Sequence, residues 1–402
     1  MLTTASPVRI TGLGCITAAG RTLPECLAAL DEGQRLPHLP ELFPTDRQFP
    51  VFACTLPAAC NPLNLPEESG FHAMSRTVHL AAQATAEALA DAGLDTADLA
   101  SARVGVCIGT SVGTSLDVYD YYRCYRNGRK DSLEAIYRYL NSNPAPALAR
   151  LLGTSGPVQT VTNACSSGTD AIGLAADWIR NGLCDIAVCG GADALCRIIY
   201  YGFSSLQLQS TEACMPFDKK RKGLNLGEGA GIVVLESAAR MRGRKASGLV
   251  RGYGTCADAY HLTAPHPEAR GLRAALDHAL AQAGAKREAV AFINAHGTAT
   301  PANDATEGTF FRELFPRTPF ISTKGSTGHT LGAAGAVEAV FTLAHLIRGK
   351  LPASPGFSEE DPSLGISPLA APLEIDGRLA MSQSLAFGGN NSILLLGTEE
   401  AA

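Results

Sequence analysis

The amino-acid sequence predicts an α/β fold of two similar halves, with sheets covered by helices, on three observations. Short β-branched runs ending in glycine alternate with apolar helical stretches along the whole chain. The composition, 46% hydrophobic with 41 glycines, suits a compact and turn-rich protein. A faint internal echo joins the two ends: "ACSSGTDAIGLAADWIRNG" and "GHTLGAAGAVEAVFTLAHLIRGK" both run from a reactive type of residue through small residues into an apolar helix. At 402 residues the chain has room for two domains or one duplicated one, and the echo places a boundary near residue 245, giving halves 1–245 and 246–402.

In the first half, "VRITGLGCIT" (8–17), "ARVGVCIGT" (102–110), "DIAVCGGAD" (185–193) and "GAGIVVLE" (229–236) read as strands. The stretch 75–93 reads as a helix, with Ser75 as N-cap and Gly93 as its stop. In the second half, "LVRGYGTCAD", "AVAFINAHGT", "PFISTKGSTGH" and "SILLLG" read as strands, and 271–284 and 331–348 as helices. Two regions break the rhythm. Residues 35–68 are proline-rich and are expected to wrap the surface. Residues 116–150 hold six of the ten tyrosines and the basic run "RCYRNGRK", and read as an insertion.

A formal net charge of -5 argues against nucleic acid as a partner. No apolar run approaches the roughly 20 residues of a membrane span, and the N-terminus shows no signal-peptide pattern. The twelve cysteines are scattered without a C-x-x-C pair, which suits neither a zinc site nor a disulfide framework. A cytoplasmic protein with reduced thiols and no metal is expected.

Cys165 lies where a buried apolar strand is expected to turn into a helix, before two serines and a glycine. A helix N-terminus offers free N–H groups and partial positive charge, which favour a thiolate nucleophile. The small neighbours let a carbonyl approach, and the N–H groups can contribute to an oxyanion hole. Alone, such a cysteine is more often a buried thiol. Two histidines shift the balance: His296 in "NAHGTATPANDATE", and His329 in "STKGSTGHTLGAAG" with Lys324 five residues before it. Both follow apparent strands, where ligand sites of α/β sheets collect. Near the C-terminus Phe387, Gly388 and Gly389 read as a tight turn able to supply another N–H.

With these motifs in hand, the sequence resembles the elongating β-ketoacyl-(acyl carrier protein) synthases of the thiolase-fold superfamily. The resemblance runs from "RITGLGCITAAG" to "FGGNNSILLLG" and includes "PFDKKRKGLNLGEGAG" (216–231). It implies a thiolase-like fold, two similar halves in a layered αβαβα arrangement. It makes Cys165 the acyl-accepting nucleophile, completed by His296 and His329, with Lys324 organising the site and Glu307 matching the usual acidic residue. Thr298 and Thr300 match threonines that bind a phosphopantetheine arm, and Phe387 a gating residue whose N–H serves the oxyanion hole. The implied reaction is decarboxylative Claisen condensation of malonyl-carrier protein with the acyl group on Cys165. No cofactor belongs to the chain, since the pantetheine is carried by the acyl carrier protein. A dimer is implied, either a homodimer or a heterodimer with a chain-length-factor-like subunit.

Three positions depart from the family pattern: Asn163, Met215 and Asn390. They are expected to reshape the acyl site without abolishing activity. The tyrosines of 116–150 are open between acyl pocket, dimer contact and plain surface. Arg123, Arg126, Arg129 and Lys130, or Lys219, Lys220 and Lys222, are candidates to meet an acidic carrier, against the usual solvated reading of charge runs. Rival readings are a thiolase, a chain-initiating synthase, a cysteine hydrolase, and a non-catalytic chain-length-factor-like partner, which the presence of Cys165 opposes. Fatty-acid and polyketide or polyene elongation would use the same residues.

Overall fold

The computed structural model describes residues 5–57, 60–113, 118–130, 132–241 and 245–399. Ten strands form one mixed sheet system: β1 (Val8–Thr17), β2 (Val104–Gly109), β3 (Val158–Val161), β4 (Ile186–Asp193), β5 (Gly229–Glu236), β6 (Gly248–Ala257), β7 (Phe292–Asn294), β8 (Phe320–Ile321), β9 (Leu379–Ala386) and β10 (Asn390–Gly397). Their order is β3-β2-β4-β5-β1-β6-β10-β9-β7-β8. In the first five, β3, β2 and β4 run parallel, and β5 and β1 are each antiparallel to the strand before. The second five repeat that sense: β8, β7 and β9 are parallel, and β10 and β6 turn back in sequence. A short antiparallel pairing, Val8 to Val250 through Ile10 to Gly248, welds the halves together.

Helices α1 (Arg76–Ala92), α2 (Ser167–Arg180), α3 (Arg270–Ala283), α4 (Pro301–Leu314) and α5 (Ala334–Arg348) complete the layers. α1 covers the outer face of β1 and β5, and α3 that of β6 and β10. α2 and α5 lie between the sheets and pack on each other, so the arrangement is αβαβα. The pleat explains why the strands are apolar throughout. On β5, Val233 and Leu235 face the central helices while Ile232 and Val234 face α1. On β10, Leu394 and Leu396 face inward while Ile393 and Leu395 pack with Leu272 and Leu276 of α3. A β-carbon on Gly168 would stand 2.8 Å from that of Ala336, so glycine sets the closeness of α2 to α5.

Several expectations need correction. The strand read ahead of Cys165 exists as β3, but it is short and half-exposed rather than buried, and β9 was not legible because it carries Ser382, Gln383 and Ser384, all buried and polar. The run 319–329 is strand only over Phe320–Ile321, after which the chain leaves the sheet for a short turn of helix at Lys324–Thr327. Ser75 occupies the N-cap of α1, yet its hydroxyl caps nothing. Residues 35–68 do not only wrap the surface: Val51 and Phe52 are buried, and the Phe52 N–H donates to the Leu226 carbonyl at 2.9 Å. The region 116–150 holds three short helices, Tyr119–Arg126, Glu134–Asn141 and Pro144–Leu151; its residues 116, 117 and 131 lie outside the described residues. One helical stretch of the described residues, Leu331–Arg348, is long and apolar enough to cross a membrane, but 89% of it is buried between the sheets.

Candidate active site

The position of Cys165 is built by the turn between β3 and α2. Ala164 adopts φ 48°, a left-handed conformation that few side chains accept, and so lifts Cys165 just ahead of Ser166, the N-cap residue of α2. Polar contacts hold the turn. The Asn163 N–H donates to Ser167 Oγ at 2.7 Å, and Ser166 Oγ donates to the Asn163 carbonyl at 2.9 Å. One buried carboxylate, Asp170, accepts from Asn163 Nδ2 (2.7 Å), Ser166 Oγ (2.8 Å), Tyr253 Oη (2.8 Å) and Ser392 Oγ. Asn163 therefore serves the turn through Asp170, and the acyl-site change expected of it is replaced by a scaffold role.

Cys165 Sγ lies 3.0 Å from His329 Nε2, and the Phe387 N–H also points at the sulfur. The His296 and His329 rings stand edge to face with centroids 5.2 Å apart. All three residues are buried and line a cavity of about 270 Å³, together with Thr298, Thr300 and Phe203. The two threonine hydroxyls bond each other at 2.9 Å on its wall. Phe387 stacks on Phe203 at 5.3 Å and closes one side, and Gly388 and Gly389 make its turn at φ 86° and 80°.

Behind the histidines lies a charged layer. Lys324 Nζ donates to the His296 carbonyl at 2.6 Å, to His296 Nδ1 at 3.3 Å, and to Glu338. An ammonium has donors only, so His296 Nδ1 must accept and the ring proton sits on Nε2. Glu307 does not face the reacting atoms. Its carboxylate accepts the N–H groups of His296 (2.7 Å) and Gly297 (2.6 Å), and amide donors from Asn303 and Gln383. It positions the His296 loop, and the acid that meets Lys324 is Glu338, which the sequence reading missed inside an apolar helix. His329 is held by its backbone: its N–H donates to the Asn225 carbonyl and its carbonyl accepts from Gly227. The motif 216–231 thus clamps the histidine loop.

Burial pushes the Cys165 thiol up to about 11, against the opposing pull of Lys324 and the Phe387 N–H. Desolvation, with Lys324 adding to it, holds both imidazoles well below the usual histidine value. The resting pair is therefore thiol and neutral imidazole. The helix N-terminus alone suggested a thiolate, but the cost of dehydrating the charge wins.

Of the basic runs, Lys219 and Lys220 pair with Glu359, and Lys222 with Glu212. Arg126 lies over the Tyr122 ring. Tyr122, Tyr125, Tyr137 and Tyr139 are exposed, so they do not line the cavity at Cys165. Met215 is half-buried at the head of the Pro216–Phe217 turn, and Asn390 Nδ2 donates to the Phe387 carbonyl at 3.4 Å.

A cysteine raised before a helix between two sheet halves, facing two neutral histidines from the other half, defines a condensing acyltransferase of the thiolase-like fold. The chain belongs to the β-ketoacyl synthase family: that family's N-terminal domain matches residues 5–240 and its C-terminal domain residues 247–358. It is 34% identical to a 3-oxoacyl-[acyl-carrier-protein] synthase 2 of Synechocystis sp., over 96% of this chain and 97% of the relative. It is 32% identical to the mitochondrial 3-oxoacyl-[acyl-carrier-protein] synthase of Arabidopsis thaliana, over 96% of this chain and 92% of that one. Among solved structures, the ishigamide ketosynthase/chain length factor superposes with a TM-score of 0.90 at 32% identity, covering 99% of this chain and 100% of the other. A ketosynthase in complex with its chain length factor from Xenorhabdus doucetiae gives 0.84 at 31% identity, with 98% of each chain covered.

Proposed function

We propose that Cys165, His296, His329, Lys324 and Phe387 carry the family's reaction as follows. An acyl group arrives on the phosphopantetheine thioester of an acyl carrier protein. The arm enters the cavity past Thr298 and Thr300, beside the turn of Gly388 and Gly389. Cys165 Sγ attacks the carbonyl; the new C–S bond replaces the pantetheine C–S bond, the thiol proton passes to His329 Nε2, and the departing pantetheine sulfur takes a proton from water in the cavity mouth. Malonyl-carrier then binds and loses carbon dioxide. The enolate oxygen takes hydrogen bonds from the Nε2–H groups of His296 and His329. Its carbon attacks the acyl-cysteine, the oxyanion rests on the N–H groups of Cys165 and Phe387, and collapse breaks the acyl C–S bond, the Cys165 sulfur taking back the proton held at His329 Nε2.

The observation that carries this reading is the convergence on one sulfur of His329 Nε2 at 3.0 Å and the Phe387 N–H, with His296 alongside. Glu307, Glu338 and Asp170 act through other residues. No cofactor of the chain's own enters the reaction, and the twelve free thiols suit a reducing cytoplasm. The division into halves is placed at 245/246, between β5 and β6, with 116–150 as an insertion in the first.

The enzyme is further proposed to act as a dimer. β3 ends the sheet with Val158 at 39% exposure, while Phe320 and Ile321 at the other end are buried. Beside β3's half of the chain, the exposed Tyr122, Tyr125, Tyr137 and Leu140 offer apolar surface. A second copy or a chain-length-factor-like subunit adding a strand there would cover both. The likeness to ketosynthase/chain length factor structures favours a polyketide or polyene route, with housekeeping fatty-acid elongation as the alternative. A non-catalytic partner role is opposed by the intact Cys165 site.

The test is to incubate the purified protein with a panel of acyl-carrier thioesters, with and without a candidate partner subunit, and weigh it intact. An adduct of the acyl mass on wild type, absent from Cys165→Ala, is expected. Adducts that persist in Cys165→Ala would sink the assignment.

A further inference from the structure

In the proposed reaction one oxyanion rests on two backbone N–H groups that lie far apart in the chain. That of Cys165 belongs to the turn before α2, and that of Phe387 to the turn between β9 and β10. Donors of this kind stabilise charge only when they are held at a fixed distance and angle beforehand. We propose that Asp170 is the positioning residue that holds these two turns together, an inference that rests on the roles given to Cys165 and Phe387.

The two oxygens of the Asp170 carboxylate divide the work. Oδ2 accepts from Asn163 Nδ2 at 2.7 Å and from Ser166 Oγ at 2.8 Å, the residues on either side of the Cys165 turn. Oδ1 accepts from Tyr253 Oη on β6 at 2.8 Å and from Ser392 Oγ on β10. Four donors on two oxygens match an ionised carboxylate, which only accepts. Burial, and then the charge of Asp170, raise the Tyr253 hydroxyl, so it keeps its proton and donates. The contact is built into the packing as well. A β-carbon on Gly173 would stand 2.4 Å from the Tyr253 ring, so glycine lets that ring lie against α2 and reach Asp170. On the other side, β10 begins at Asn390, three residues after Phe387, and Asn391 Nδ2 donates to the Gly389 carbonyl at 2.9 Å. The Phe387 turn is thus fastened to the head of the strand that carries Ser392.

Asp170 touches no reacting atom. Beyond burial, the charges that act on the Cys165 thiol are those of Lys324, Asp193 and Glu338. Loss of the bridge therefore weakens the oxyanion site and leaves the reactivity of the sulfur alone. Two reactions of the same sulfur separate these effects. Acyl transfer passes through a tetrahedral oxyanion. Alkylation by iodoacetamide forms an S–C bond at a saturated carbon as iodide leaves, and no oxyanion develops.

The experiment measures both rates by intact mass in wild type, Asp170→Asn and Tyr253→Phe, with an acyl-carrier thioester that acylates wild type and with iodoacetamide. An asparagine turns an NH2 toward one pair of donors and breaks one side of the bridge. Acylation of Asp170→Asn should be slower by about tenfold or more, with alkylation within about twofold of wild type. Tyr253→Phe keeps the ring against Gly173 and loses one donor, which covers the case of an unfolded Asp170→Asn. Its acylation should fall by about threefold or more, again with alkylation spared. Acylation and alkylation falling by the same factor would show a general structural role, and acylation at the wild-type rate would show no role. Either result overturns the proposal and leaves the roles of Cys165 and Phe387 standing. Wild type that alkylates at Cys165 yet accepts no acyl group from any carrier would overturn those roles, and the bridge with them.

Discussion

Lys324 sets both the tautomer of His296 and the charge felt by Cys165, through contacts at 3.3 Å to Nδ1 and a favourable pull on the thiolate. In Lys324→Met the His296 proton is free to move to Nδ1, where it no longer faces the enolate. Turnover should fall by about 10²-fold or more, with KM changed far less, since the loss is in the transition state. The thiol gives a second readout. A positive neighbour lowers a thiol's pKa, so removing it moves the Cys165 value upward from about 11. Alkylation by iodoacetamide at pH 8–9 should then be slower in the variant than in wild type. Equal or faster alkylation contradicts the electrostatic role. At this scale the grouping of Cys165, His296, His329 and Lys324 was legible because each stands in a glycine-rich turn beside small residues. Glu338 and Asp170 were not, because each is a single acid inside an apolar helix, and only the fold shows what it meets.

The crossing of α2 and α5 brings the two halves' contributions to one point. Cys165 heads α2, and His329 precedes α5 by one short turn, so the spacing of these helices fixes the sulfur-to-imidazole distance. Gly168 allows that approach. Gly168→Val would push methyl groups against the Ala336 backbone, whose nitrogen lies 2.9 Å from where a β-carbon would stand. A loss of about 1–3 kcal/mol is expected, read as a Tm lowered by a few degrees. Loss of Cys165 alkylation protection should accompany it. A Tm equal to wild type would show that the helices are not in contact here. The apolar strands and the long helices could be read from sequence because their faces follow period 2 or 3.6. β9 could not, since its polar residues are there to meet the site: Gln383 Nε2 holds Glu307 and Ser384 Oγ meets Thr169 at 2.9 Å.

The repeated strand order makes the molecule two copies of one five-stranded pattern, joined along β1 and β6. The echo in sequence survives only where both copies keep a small-residue entry to a central helix, which is where close packing is unavoidable. Elsewhere the copies have diverged, and their kinship is visible in topology alone. One consequence is an open sheet edge at β3, and Val158→Glu places a charge on it. If that edge pairs with a second subunit, the variant should run as a monomer in light scattering where wild type runs as a dimer; an unchanged dimer would place the interface elsewhere.

The most direct measurement of the central claim starts from protein already acylated on Cys165. Mixing it with malonyl-carrier and following the intact mass against time should show the adduct leaving as a product two carbons longer appears on the carrier. His296→Ala should acylate like wild type yet discharge at least about 10²-fold more slowly, because its enolate loses a hydrogen bond made only in the transition state. Discharge at the wild-type rate in that variant, or discharge to the free acid with no lengthened product, would contradict a condensation run by two histidines across one cysteine.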